Sequence, residues 1–314
     1  MFTPITVFCT LTIFLGMPVG FNFTPYSKIQ RQSQIVTLPL DDCLAKTGIA
    51  TDGTHIRGCT VEAHLKAVCY VLRELRKHFN NTPLSAILLS VAEWLCALHD
   101  IGKLTPVFQQ KIYAALGISK DFGMSFPMEK ENHGLSTQLI LRSRFGERFA
   151  RVAAAHHGFG FLSTSFYTEQ SPWLGGPEWE KLRESLISNL TRELNLPDFN
   201  PNELDEKIIS VLLGAVILAD WLGSSMDIPY GMQPTSQAAA KAVAAAGFIP
   251  YNIRKDLGFA DIFRFTPNAL QSCLLREIHP GGCYIIEAEM GSGKTEAALY
   301  LAYKLLENKK ATGI

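Results

Sequence analysis

Leu84, Ile87, Leu88, Val91, Trp94, Leu95 and Leu98 recur at three- and four-residue intervals, and this apolar stripe runs directly into Leu98-His99-Asp100-Ile101-Gly102-Lys103. A stripe of that period is stable in water only as a helix whose apolar face other elements cover. The chain is therefore committed to a packed helical layer. It is also committed to an imidazole, a carboxylate and an ammonium group at one end of a buried helix. Thr82-Pro83 predicts the helix start, a capping hydroxyl followed by proline at the first helical position. Gly102 can end it.

Further segments repeat the pattern. Val61, Leu65, Val68, Leu72 and Leu75 predict a helix from Thr60, with His64 beside its apolar seam. Asn132 is placed to cap a helix that carries His133 in its first turn and runs through Arg151 and Ala155 to His156-His157-Gly158. Lys207 to Gly223, with Ile208, Leu212, Ala215, Val216 and Ala219, predicts another apolar helix, and Asp220 lies on it. Residues 1–59 are poor in helix signals and read as strands and loops. Phe159 to Glu178 reads as a loop, and the alanine-rich stretch from Gln237 to Ala246 as a surface helix. Pro250 to Lys255 marks a boundary. Beyond it the pattern becomes a strand at Cys283 to Glu287, a glycine-rich turn and a helix from Ala297 to Leu306.

A length of 314 residues, 47% of them hydrophobic, is enough for two buried cores. Formal net charge is +0, so no field of the whole chain draws in nucleic acid. Any such contact must come from a local patch, from metal ions or from a partner. Seven cysteines, Cys9, Cys43, Cys59, Cys69, Cys96, Cys273 and Cys283, form no CxxC pair. They read as thiols of a reducing, cytoplasmic setting rather than a disulfide framework. Ile5 to Leu15 is shorter than the ~20 residues of a membrane-spanning helix and has no basic residue before it, so no membrane association is expected. Residues 1–40 are left unassigned, with a signal sequence, a buried strand or a mis-called start all open.

Seven side chains form a candidate metal constellation: His64, His99, Asp100, His133, His156, His157 and Asp220. Asp220 shares the apolar face of Leu212 and Val216, where a bare carboxylate is costly unless paired or coordinated. The His156-His157 doublet ends a helix at a place that packing does not explain. Wide separation of the groups excludes a zinc-finger pattern and suits a bundle whose helices each contribute an inward ligand. Mixed imidazole and carboxylate donors favour Mn, Fe, Co, Ni or Zn. Lys103 sits where its ammonium could meet charge developing on a phosphate.

The order His64, His99-Asp100, Asn132-His133-Gly134, His156-His157-Gly158, Ala219-Asp220-Trp221 resembles the HD-type metal-dependent phosphohydrolases. Within them it is similar to the HD nuclease domain of the CRISPR-associated helicase–nuclease of type I systems. Ala45-Lys46-Thr47-Gly48 resembles the opening of that domain, and the likeness runs from about residue 43 to 226. The resemblance implies an all-helical bundle holding two divalent metal ions (Mn, Ni, Co, Fe, Zn or Mg). One would be held by His64, His99, Asp100 and Asp220, the other by Asp100, His133, His156 and His157, with Asp100 bridging. It further implies single-stranded DNA as substrate, a CRISPR surveillance complex as partner, and catalytic roles for Asp100 and Lys103.

Ala288-Glu289-Met290-Gly291-Ser292-Gly293-Lys294-Thr295 matches a phosphate-binding loop with alanine at its first position. Backbone N–H groups would face the phosphates, Lys294 would reach the outer ones and Thr295 would bind Mg²⁺. Phe265 to Gln271 resembles the adenine-reading segment of DNA and RNA helicases, which adds Gln271 to Glu289–Thr295 as a nucleotide-binding candidate. The chain ends at Ile314, twenty residues past Lys294, so ATP with Mg²⁺ is expected to matter only in a longer protein. The fold expected is mainly α. An unassigned segment 1–40 precedes an HD-type helical bundle at 41–250, and the truncated start of a RecA-like α/β helicase domain follows at 255–314. The function expected is a metal-dependent DNase. The alternatives are an HD phosphohydrolase acting on small nucleotides and a non-catalytic docking fragment.

Overall fold

In the computed structural model the described residues are 36–78, 86–122, 132–157, 171–200, 204, 206–248, 253–276 and 285–308. They fall into two compact units, one within 25–249 and the other from 250 onward. The apolar run at Ile5 to Leu15, the helix start at Thr82-Pro83 and most of the predicted loop after His157 lie outside the described residues.

In the first unit a short antiparallel hairpin, β1 (Thr47–Ile49) and β2 (His55–Arg57), pairs Gly48 with Ile56. Its turn is closed by Asp52, whose carboxylate accepts from the Thr54 amide at 2.9 Å, and by Gly53 at φ 84°. A bridge from Leu44 to Thr60 then leads into α1 (Val61–His78), and the Thr60 hydroxyl caps that helix by accepting from the Ala63 amide.

The predicted stripe of α1 is buried along its length, and the helix packs against α2 (Ala86–Leu98), α6 (Glu206–Ser225) and α7 (Ser236–Ala245). Leu65 and Val68 of α1 meet a core that includes Leu95 and Leu98 of α2 and Leu212 and Val216 of α6. Each such side chain contributes about 1.5–3 kcal/mol on leaving water. α3 (Pro106–Ala115) has Thr105 as its cap and proline at its start. α4 (His133–Ala154) starts at Asn132, whose side chain accepts from the Leu135 amide at 3.0 Å, and breaks its helical dihedrals at Gly146 (φ 78°). A 3₁₀ turn, Ala155–His157, follows α4 directly.

Two expectations change. The loop expected to reach Glu178 ends sooner, because α5 (Gly176–Glu193) already begins after a left-handed Gly175 with proline in its first turn. The alanine-rich helix α7 is not purely a surface element: Ala239 and Val243 are buried in the core. α6 is long and apolar enough to cross a membrane by length and composition, yet it packs against α1 and α2 and carries a carboxylate inward.

The second unit contains α8 (Phe259–Phe263), α9 (Ala269–Arg276) and α10 (Lys294–Glu307). The Phe259 ring packs edge-on against Tyr300, whose hydroxyl donates to the Leu257 carbonyl at 3.0 Å. The strand expected at Cys283 to Glu287 is not present in its described part: Ile285–Glu287 make no ladder. A strand needs a neighbour to take its backbone groups, and among the described residues the hairpin in the first unit is the only sheet.

Candidate metal centre

Five chain segments deliver the constellation. His64 lies in the first turn of α1, where its amide donates to the Thr60 carbonyl at 3.0 Å. His99 continues the ladder of α2 by donating to the Leu95 carbonyl at 2.8 Å, and Asp100 opens the 3₁₀ turn Ile101–Lys103. His133 is the first residue of α4, and the capping Asn132 fixes its backbone. His156 and His157 occupy the turn after α4, and Asp220 faces inward from α6. All seven meet. Ligand atoms of His64, His99, Asp100 and Asp220 lie within 4.8 Å of one another, as do those of Asp100, His133, His156 and His157.

Asp100 belongs to both groups through different oxygens. Its Oδ2 lies 3.0 Å from His64 Nε2 and 3.5 Å from His99 Nε2. Its Oδ1 lies 3.2 Å from His156 Nε2 and 3.5 Å from His133 Nε2. Asp220 Oδ1 closes the first group at 3.3 Å from His64 Nε2 and 3.5 Å from His99 Nε2. His157 Nε2 closes the second, 2.8 Å from His133 Nε2.

The residues fit divalent cations on a structural criterion. Nε2 of His64, His99 and His156 and Oδ1 of Asp100 are buried and make no hydrogen bond. Each orphaned polar atom costs on the order of 1–3 kcal/mol. One cation in each group would satisfy all four: His64 and His99 in the first, His156 and Asp100 Oδ1 in the second. The tautomers agree: Nδ1 of His99 donates to the Cys96 carbonyl at 2.9 Å and Nδ1 of His156 to the Ala153 carbonyl at 2.8 Å. A carbonyl can only accept, so the proton sits on Nδ1 and the Nε2 lone pair points into the site.

The electrostatics keep the donors ready. Burial works to raise the pKa of Asp100, but the Lys103 ammonium beside it holds the carboxyl well below the usual carboxylate range. Asp220 is likewise lowered against its own burial, chiefly through the His64 ring. Burial pushes His133 down to about 3, and burial together with His156 lowers His157, so both rings keep their lone pairs in neutral solution.

Lys103 places Nζ 2.6 Å from Asp100 Oδ2 and 5.7 Å from the centre of the Phe108 ring. Two supporting residues escaped sequence reasoning. Ser224 donates its hydroxyl to Asp220 Oδ1 at 3.1 Å, while its carbonyl accepts from Lys46 Nζ at 2.8 Å. Buried Gln109 donates from Nε2 to the carbonyls of Leu44 and Lys103, each at 2.9 Å, and accepts from the Leu44 amide. A serine one turn after Asp220 was the only signal available for the first; nothing local marks the second.

In the second unit the phosphate-loop candidates lie around the start of α10. Gly291 and Gly293 adopt positive φ, 77° and 81°, and Lys294 folds back to donate to the carbonyls of Ala288 and Glu289 at 2.6 and 2.7 Å. Gln271 is buried against this loop, with Nε2 donating to the Gly293 carbonyl at 3.0 Å. Met290 is almost fully exposed, Ser292 carries a buried hydroxyl without a hydrogen bond, and Thr295 lies in the first turn of α10.

Comparison with known proteins meets this geometry. The CRISPR-associated endonuclease/helicase Cas3 of Thermus thermophilus is 29% identical over 250 residues, covering 70% of this chain and 27% of that protein. The CRISPR-associated nuclease/helicase Cas3 of Streptococcus thermophilus is 24% identical over 270 residues, covering 71% of this chain and 29% of that protein. The chain thus spans less than a third of the length of these two relatives. The crystal structure of T. fusca Cas3 with ATP matches at a TM-score of 0.59 and 25% identity, over 88% of this chain and 35% of that one. The sequence profile described as "Cas3, HD domain" matches residues 53–228, more than half of the chain, and the protein belongs to that family.

Proposed function

We propose that the unit built around residues 41–250 is a metal-dependent nuclease that cleaves phosphodiester bonds of single-stranded DNA. We further propose that residues 255–314 begin a RecA-like helicase domain. The observation that carries the reading is the division of Asp100, one carboxylate oxygen facing each group of ligands. His64, His99, Asp100 and Asp220 would hold one ion and Asp100, His133, His156 and His157 the other, with Mn, Ni, Co, Fe, Zn or Mg as candidates. When bound, such a pair supplies electrophilic activation of a phosphodiester and acidifies water.

The remaining work belongs to side chains. His99 and His156 are held in one tautomer by backbone carbonyls, so they present donors without reorganising. Lys103, beside Asp100, orients that carboxylate and offers its ammonium to charge building on a phosphate oxygen. The half-exposed edge of the second group, at His133 and His157, is the open side from which a strand would approach. The neutral net charge fits DNA delivered by a partner; the partner proposed is a CRISPR surveillance complex, in keeping with relatives that are named only as CRISPR-associated. ATP with Mg²⁺ would act at Gln271 and Glu289–Thr295 only where further helicase segments complete the site.

The test is a cleavage assay of the purified chain across divalent ions, with single-stranded DNA, dNTPs and cyclic nucleotides as competing substrates. Cutting of DNA in Mn²⁺ or Ni²⁺ is expected. Turnover of small nucleotides alone would replace the reading with a nucleotide phosphohydrolase, and no turnover with bound metal would make the ions structural.

A further inference from the structure

We infer that Thr137 is a positioning residue that sets the distance between the two ligand groups, and so governs the second ion's affinity; this inference rests on the two-ion reading. Thr137 lies on α4 one helical turn after His133, on the same face, and is fully buried. Its hydroxyl is used twice. It donates to the His99 carbonyl at 3.0 Å and accepts from the Gly102 amide at 3.0 Å. Those two backbone groups flank Asp100, so one oxygen on α4 grips both sides of the turn that carries the shared carboxylate.

Packing leaves this contact little tolerance. A Cβ on Gly102 would fall 2.0 Å from the His133 carbonyl oxygen and 2.6 Å from the Thr137 amide, so the turn lies directly on the backbone of α4. A second hydroxyl, from Thr105, donates to the Gly102 carbonyl at 3.1 Å and holds the turn from its other side. The chain thus has two fixed bodies. The end of α2 brings His99 and Asp100, while α4 brings His133 and, through its C-terminal turn, His156 and His157. Where they touch, Thr137 supplies the polar link. Groups that orient ligands in this way typically change metal affinity about 10–100-fold when removed.

The first group also draws on His64 of α1 and Asp220 of α6, neither of which is a hydrogen-bond partner of Thr137, so its loss should fall chiefly on the second ion. The experiment is Mn²⁺ titration of the 314-residue chain and of Thr137→Val and Thr137→Ser, read by calorimetry and by the electron paramagnetic resonance signal of a coupled Mn pair. Two ions and a coupled signal are expected in the parent. Thr137→Val should weaken the second ion about tenfold or more, leave the first within about threefold, and lose the coupled signal. Thr137→Ser, which keeps the hydroxyl, should restore it. Should Thr137→Val not fold, Thr137→Ala carries the same comparison, and failure of both to fold would make the hydroxyl a folding element and overturn the inference. Parent protein binding fewer than two ions refutes the two-ion reading itself. Two ions in the parent with an unchanged second affinity in the variant refutes only the role of Thr137.

Discussion

His64 Nε2 on α1 and Asp220 Oδ1 on α6 stand 3.3 Å apart, and the close packing of those two helices holds them there. Gly223, one turn beyond Asp220, makes the approach possible: a Cβ there would lie 2.8 Å from Val68 Cγ2 and 3.2 Å from the Val68 backbone. Gly223→Val should therefore push α6 away from α1. A loss of about 1–3 kcal/mol in chemical denaturation is expected from overpacking, together with weakened binding of the ion held by the first group.

Asp100→Asn keeps the shape of the shared side chain and removes its charge. The substitution should reduce bound Mn²⁺ from two ions to one or none, measured by elemental analysis, and abolish DNA cleavage. His157→Ala touches only the second group at a half-exposed ring. It should leave the first ion bound and the melting temperature within about a degree or two, as exposed substitutions generally do.

Lys294→Ala should leave nuclease activity unchanged, because Lys294 bonds only within its own loop and its partners Ala288 and Glu289 carry no ligand of the metal centre. A cleavage assay side by side with the parent checks this. A fall of tenfold or more would show that the two units are chemically linked.

Glu307 provides a pH test in the second unit. Its carboxylate accepts from Lys304, Tyr303 and the Asp256 amide, and the first two hold its pKa down at about 2. A carboxyl lowered by folding contributes stability above its unfolded pKa of ~4.3, and that contribution is lost as pH falls toward 2. Stability of the region around Tyr303, followed by NMR between pH 6 and 2, should fall in that window. Glu307→Gln should flatten the profile.

Much of the bundle was legible because helix formation is periodic and local. The stripe at Val61, Leu65, Val68, Leu72 and Leu75 needs no partner to be recognised, and Asn132 caps its helix through a residue three positions away. Asp220 was conspicuous for the same reason, a charge on an apolar face. The strand at Cys283 to Glu287 was the opposite case. An apolar run records burial but not the neighbour that would pair with it, and the described part makes no ladder.

The sequence by itself determined the kinds of donor available and the helical phase that sets His64 and Asp220 on the apolar faces of their helices, since both follow from residue type and a period of 3.6. Only the tertiary structure decided that the two oxygens of Asp100 look in different directions, that Ser224 supports Asp220, and that Gln109 and Thr137 clasp the backbone around the His99–Lys103 turn. Those contacts join segments far apart in the chain. Their distances are set by how closely helices approach, a property of matched surfaces that no single stretch of residues contains.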